Sequence, residues 1–285
     1  MIVAVVGGDR REQEICRLAC NAGAIVRAYG IPWPASGLAD VARCGSLEEA
    51  MTGADLCLLP LPLPSSDGAL HAPGAEAPIR LQTAHFSRLR RSARIIAGSV
   101  NQEIIAAAAE AGIPIHTYGA DPQGRRDRAV AIAEGALGRV IGATGYTIRG
   151  ARVAVLGNGV LGHALAEIFR SLGAKTSLFG RCPRRSGERP IADLDKLAPT
   201  LDILLSTIPA AVLAPEIFAT LPPHALVVDL ASPAGIAPAA ESAGARTLRL
   251  LGLGDCAPVT VGAIQWAQIL ALLSNASKTI DASSP

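Results

Sequence analysis

The stretch RVAVLGNGVLGHALAEIFRSLGAKTSLFGR, residues 152–181, constrains the fold of this chain more than any other segment. An apolar run of strand character leads into Gly157, Gly159 and Gly162, spaced G-x-G-x-x-G, and a helical pattern follows at once. The first glycine permits a tight turn, the second lets backbone approach a diphosphate, and the third lets the helix pack closely on the strand. With Asn158, Val160 and Leu161, these residues form the expected cofactor loop, with the diphosphate on the free amides of the helix start.

The end of the next strand selects the dinucleotide. NAD sites carry an acid about twenty positions after the fingerprint, on the ribose hydroxyls. Here that place holds Gly180 and Arg181, followed by Arg184 and Arg185. Guanidinium groups attract a 2′-phosphate, so the expected cofactor is NADP, with NAD second and a merely solvated arginine loop as the alternative. Ligands collect at the carboxyl ends of parallel strands, which adds Thr207, Ile208 and Pro209, and then Ala231 and Ser232. Asp229 reads as a cap for the turn after its strand. None of the five histidines shows a partner in the sequence.

Strand-like runs at 2–6, 24–29, 56–59, 94–97 and 113–116, with helical runs at 10–21 and 101–111, predict a parallel sheet in the first half as well. The second half repeats the alternation with strands at 152–157, 176–180, 202–208, 225–231 and 246–252. The expected fold is α/β: two Rossmann-like, doubly wound parallel-sheet domains joined by helices, with a cleft between them. The boundaries read as 1–127 for a substrate or partner domain, 128–147 for an interdomain helix, 148–258 for the NADP domain and 259–285 for a C-terminal helix and tail. Residues 59–78, LPLPLPSSDGALHAPGAEAP, are too rich in Pro and Gly for regular structure, and read as either a functional lid or a disordered insertion.

Half of the residues are hydrophobic while aromatics make up only 3%, so Ala, Val, Leu and Ile must build the cores. A net charge of +2 argues against a nucleic-acid partner. No metal-like cysteine spacing, signal peptide or membrane-length apolar run is present, and the reading is a cytoplasmic protein with reduced thiols. The opening VVGGDRREQE (5–14) resembles a second nucleotide turn, yet lacks the full fingerprint. Asp9 is placed to cap the following helix and Arg11 to hold a carboxylate, the alternative being a capped helix with exposed arginines.

Taken together, AVVGGDRREQE, LLPLP, AEGAL leading into GYTIRGARVAVLGNGVLG, STIPAAVL, VVDLASPAG and APVTVGAIQWAQIL resemble the dipicolinate synthase A-subunit family over nearly the whole chain. The resemblance implies oxidation of a dihydrodipicolinate-type ring to pyridine-2,6-dicarboxylate in the mother cell of a spore former, with a flavoprotein-like B-subunit. It also adds Gly98 and Asn101 as substrate-site candidates, and Glu134 as either a candidate general base or a structural residue that caps backbone at the hinge. Three stretches depart from the family pattern: AEGAL lacks a preceding Pro-Thr, SPAG lacks an Arg after Ser232, and Val259 stands where Lys is expected. The expected partners are a small dicarboxylate and the B-subunit, with a homo-oligomer as a further candidate and neither nucleic acid nor membrane. The alternatives are a related NADP-dependent dehydrogenase of another small carboxylic acid, and a non-catalytic subunit that binds NADP.

Overall fold

The computed structural model describes residues 1–281. It divides into two compact units, 1–125 with 257 onward, and 126–256. The first runs β1 (Ile2–Val6), α1 (Arg10–Asn21), β2 (Ile25–Tyr29), β3 (Val41–Arg43), α2 (Leu47–Met51), β4 (Leu56–Leu59), α3 (Thr83–Phe86), β5 (Arg94–Ala97), α4 (Gln102–Glu110) and β6 (Ile115–Thr117). Helix α5 (Pro122–Ala143) carries the chain into the second unit. That unit holds β7 (Arg152–Leu156), α6 (Val160–Ser171), β8 (Lys175–Gly180), β9 (Glu188–Pro190), β10 (Ile203–Ser206), α7 (Glu216–Ala219), β11 (Leu226–Asp229), α8 (Ala237–Ser242) and β12 (Arg246–Arg249). The last helix, α9 (Pro258–Asp281), belongs to the first unit and packs on α1.

Each unit has a six-stranded, all-parallel sheet, ordered β3-β2-β1-β4-β5-β6 in the first and β9-β8-β7-β10-β11-β12 in the second. These are the same order, the doubly wound plan in which the crossover direction reverses beside the first strand. Alternation along the strands assigns the two faces. In β1, Val3 and Val5 join Ile15 and Cys16 of α1 and Trp266 and Ile269 of α9, while Ala4 and Val6 join Met51, Phe86 and Ile104 on the other side. In β7, Val153 and Val155 pack with Ala136 and Val140 of α5 and Phe169 of α6, and Ala154 and Leu156 face Leu194, Phe218 and Ala240. One polar device is repeated: Asp55 accepts the Ile2 amide at 2.7 Å, and Asp202 accepts the Arg152 amide at 2.7 Å, each fixing the start of the unit's first strand.

The structure differs from the sequence expectation at several boundaries. Helix α5 starts at Pro122, ahead of the interdomain helix expected from residue 128, because Asp121 caps it by accepting the Gly124 amide at 2.6 Å and Pro122 suits the first helical position. Strands β3 and β9 are three-residue edge strands with too little burial to leave an apolar pattern. Helix α9 begins at Pro258, one residue before the C-terminal segment expected from 259, and residues 282–285 of the expected tail lie outside the described residues. The Pro-rich segment is irregular, as expected, but it is packed down. Leu70, Ile79 and Leu81 are buried in the core, the Leu70 amide donates to the Ile79 carbonyl at 2.9 Å, and Arg80 pairs with Asp67. Among the described residues no helix is long and apolar enough to cross a membrane.

Candidate functional site

The second unit presents an open glycine turn. Gly157 follows β7 at φ +105°, a conformation side chains disfavour, and a Cβ there would also overlap Thr207 Oγ1. Thr207 is fixed in that place by its amide and hydroxyl, which donate to the Leu156 carbonyl at 2.9 and 3.1 Å. A Cβ at Gly162 would overlap the Gly157 carbonyl, so the third glycine sets how closely α6 meets the turn. Gly159 is the N-cap of α6; no side chain caps the helix, and a Cβ at Gly159 would meet nothing within 4 Å. A twelve-residue helix thus points an uncapped N-terminus past a glycine into unfilled space, with Val160 exposed and Leu161 half-buried at its first turn. These features fit the diphosphate of a dinucleotide.

Beside this turn, Arg181, Arg184 and Arg185 all lie exposed on the loop after β8. A carboxylate that the sequence reading missed sits among them. Glu188 of β9 accepts from the Arg184 amide at 2.8 Å and from Asn158 Nδ2 at 2.7 Å, with His163 Nε2 at 3.1 Å. The Arg184 amide first, then the Asn158 side chain and the His163 charge, hold its pKa below the ordinary glutamate value. Gly180 leaves the space that the Asn158 side chain fills. No motif signals Glu188, because it lies on an edge strand of three residues. Ile208 and Thr207 are half-buried after β10, Pro209 and Ser232 are exposed, and Ala231 is buried. Asp229 is structural, as read: its buried carboxylate accepts the amides of Ala231, Gly235, Ile236 and Ala237 at 2.8 to 3.0 Å.

The first unit closes its own glycine turn. Asp9 caps α1 by accepting the Arg11 amide at 3.1 Å, and Glu12 returns the capping-box bond by accepting the Asp9 amide at 2.7 Å. Gly8, at φ +106°, leaves the room that the Glu12 carboxyl occupies. Its amide donates to the His71 carbonyl at 2.6 Å, so the covering loop stands where a diphosphate would be expected. Arg11 is neither exposed nor open to an incoming anion: only 5% accessible, it donates Nε and Nη2 to Asp9 at 2.7 and 2.6 Å. Burial alone would raise the Asp9 pKa, but hydrogen bonds from Arg11 and His71 and the Arg11 charge outweigh it, holding Asp9 below the ordinary carboxylate range. Burial dominates at Glu12; Arg11 opposes it and Asp9 adds to it, and the pKa is pushed up to about 7.

The other candidates are spread through the fold. Gly98 follows β5 under the backbone of Leu61, where a Cβ has no room, and Asn101 caps α4 by accepting the Ile104 amide at 3.0 Å. Glu134 is exposed on α5. The histidines, which show no partner in the sequence, prove to have carboxylate neighbours in four of five cases: His71 with Asp9, His85 with Glu48, His163 with Glu188 and His224 with Asp202. Each partner is distant in sequence, which is why no local pattern shows it.

Residues 2–118 match the family model for the N-terminal domain of the dipicolinate synthase A-subunit. The A-subunit of dipicolinate synthase from Bacillus subtilis is 28% identical over 273 residues, 92% of each chain. The crystal structure of the same subunit from Bacillus halodurans superposes with a TM-score of 0.80 at 26% identity, covering 95% of this chain and 97% of that one. This chain is similar in sequence and fold to the dipicolinate synthase A-subunit. The likeness carried by the quoted stretches therefore extends to the fold, through both units. At 16% identity, D-lactate dehydrogenase from Escherichia coli shares the fold alone, with a TM-score of 0.59 over 98% of both chains. The architecture is thus that of the two-domain dehydrogenases.

Proposed function

We propose that this protein oxidises a dihydrodipicolinate-type ring to pyridine-2,6-dicarboxylate with NADP as hydride acceptor. It acts with a flavoprotein-like second subunit, since its relatives are each one subunit of dipicolinate synthase. The observation that carries this reading is the open turn at Gly159 beside three exposed arginines, in a chain related to those subunits over most of its length. The amides at the start of α6 hold the diphosphate, and Arg181, Arg184 and Arg185 hold the 2′-phosphate. Glu188 does not cancel this preference, because its oxygens are already engaged by Asn158, His163 and the Arg184 amide, and three exposed guanidinium groups outnumber its single charge. Ala231, Ser232, Thr207, Ile208 and Pro209 would border the nicotinamide end of the cofactor, which would supply the hydride acceptor.

In the first unit we assign Asp9 and Arg11 to the substrate end, Arg11 acting through Asp9 instead of gripping a carboxylate directly. Gly98 seats the covering loop and Asn101 orders α4. Aromatisation drives the loss of hydride, so the protein's task is to orient the ring and accept a proton. The reading places the protein in the cytoplasm of a sporulating mother cell. Calorimetric titration tests the cofactor assignment: NADP⁺ is expected to bind more tightly than NAD⁺, and equal affinities would overturn the 2′-phosphate assignment.

A further inference from the structure

Resting on the NADP reading above, we propose that Glu188 is a positioning residue for the 2′-phosphate, holding the arginine loop after β8 against the glycine turn before α6. Every group involved lies within the second unit. Glu188 Oε2 accepts the Arg184 amide at 2.8 Å and Asn158 Nδ2 at 2.7 Å, and Oε1 lies 3.1 Å from His163 Nε2. Asn158 Nδ2 also donates to the Cys182 carbonyl at 3.0 Å, and the Glu188 amide donates to the Arg185 carbonyl at 3.1 Å. Each of the three arginines is therefore at or beside a residue tied through its backbone: Arg181 precedes Cys182, and Arg184 and Arg185 are held directly. One carboxylate joins three pieces of chain: the turn at Asn158, α6 at His163, and the loop that carries the guanidinium groups.

Glu188 is itself fixed, standing opposite Leu178 in the parallel register of β9 on β8. Gly180 completes the arrangement, because a Cβ there would overlap the Asn158 side chain. An acid in this part of a Rossmann sheet ordinarily accepts the ribose hydroxyls. Glu188 is withdrawn from that work: its side chain is only 3% accessible, and both oxygens already have partners. The arginine side chains, by contrast, are exposed. A loop ordered before the phosphate arrives loses less conformational freedom on binding, so these ties raise affinity without touching the ligand. The charge of Glu188 acts the other way, since a carboxylate repels a phosphate. Positioning and repulsion therefore predict opposite signs when Glu188 is removed.

Calorimetric titration of the full chain with NADP⁺ and with NAD⁺ separates them, read as the ratio of the two dissociation constants. Glu188→Ala is expected to lower the preference for NADP⁺ about 10-fold, the worth of one charge-assisted hydrogen bond, through weaker NADP⁺ binding. Glu188→Gln keeps an oxygen that accepts from the Arg184 amide and Asn158, and is expected to restore most of the preference. Gly180→Ala leaves every charge in place but displaces the Asn158 side chain, and is expected to lower the preference as Glu188→Ala does. Retained NAD⁺ binding is the measure that each variant is folded. Tighter NADP⁺ binding by both Glu188→Ala and Glu188→Gln would overturn the proposal, because that is what removing a repelling charge produces. An unchanged preference in Glu188→Ala would overturn it as well. Either result leaves the 2′-phosphate assignment standing, whereas a wild-type protein that binds NAD⁺ as tightly as NADP⁺ would overturn that assignment and this proposal together.

Discussion

A side chain at Gly162 would overlap the carbonyl oxygen of Gly157, so α6 can start where it does only because position 162 is bare. Gly159, between them, faces empty space instead. The glycines at 159 and 162 are therefore separable by experiment. Gly162→Ala is expected to cost about 1–3 kcal/mol or more of stability, as overpacking does. Gly159→Val is expected to leave thermal stability close to wild type and abolish dinucleotide binding. Denaturation curves alongside dinucleotide titration check both, and tight binding by Gly159→Val would remove the diphosphate from this turn.

Arg181→Asp places a negative charge where the 2′-phosphate is assigned. NADP⁺ affinity is expected to fall about 10- to 100-fold, the worth of one charge-assisted contact, and NAD⁺ affinity to change little. Equal losses for the two dinucleotides would show that the loop after β8 does not read the phosphate.

Arg11→Ala removes the partner of a buried carboxylate. Breaking such a pair from one side costs about 3–5 kcal/mol. The expected result is a marked fall in unfolding midpoint in denaturant, whereas a residue that only gripped substrate would change KM with stability intact.

Glu12 makes stability depend on pH. Its folded pKa of about 7 lies above the ordinary glutamate value of 4.5, so its favourable contribution is complete below pH 4.5 and drains away as pH rises to about 7. The loss amounts to about 3 kcal/mol. Asp9 acts in the opposite sense, with stabilisation that is present above about pH 4 and lost on acidification. Glu12→Gln is expected to flatten the decline between about pH 5 and 8, as read by thermal denaturation. An unchanged slope would mean that Glu12 is ionised at no cost.

The sheets and the glycine turn were legible in the sequence because they are local: β1 and β7 are apolar runs that end in glycine, and the fingerprint needs only six residues. What escaped depends on partners far along the chain. Glu188 joins Asn158 and His163 across more than twenty residues, and Asp9 meets His71 across 62. Arg11 illustrates the limit. Its position beside a glycine turn suggested an anion site, but the sequence could not show that the capping carboxylate two residues earlier already occupies it.

The most direct measurement supplies the purified protein with fresh dihydrodipicolinate and NADP⁺, with and without the proposed flavoprotein-like second subunit, and follows both products. Dipicolinate and NADPH are expected to form in equal amounts. NADP⁺ binding with no turnover in either mixture would contradict the assignment and leave a dinucleotide-binding protein whose chemistry lies elsewhere.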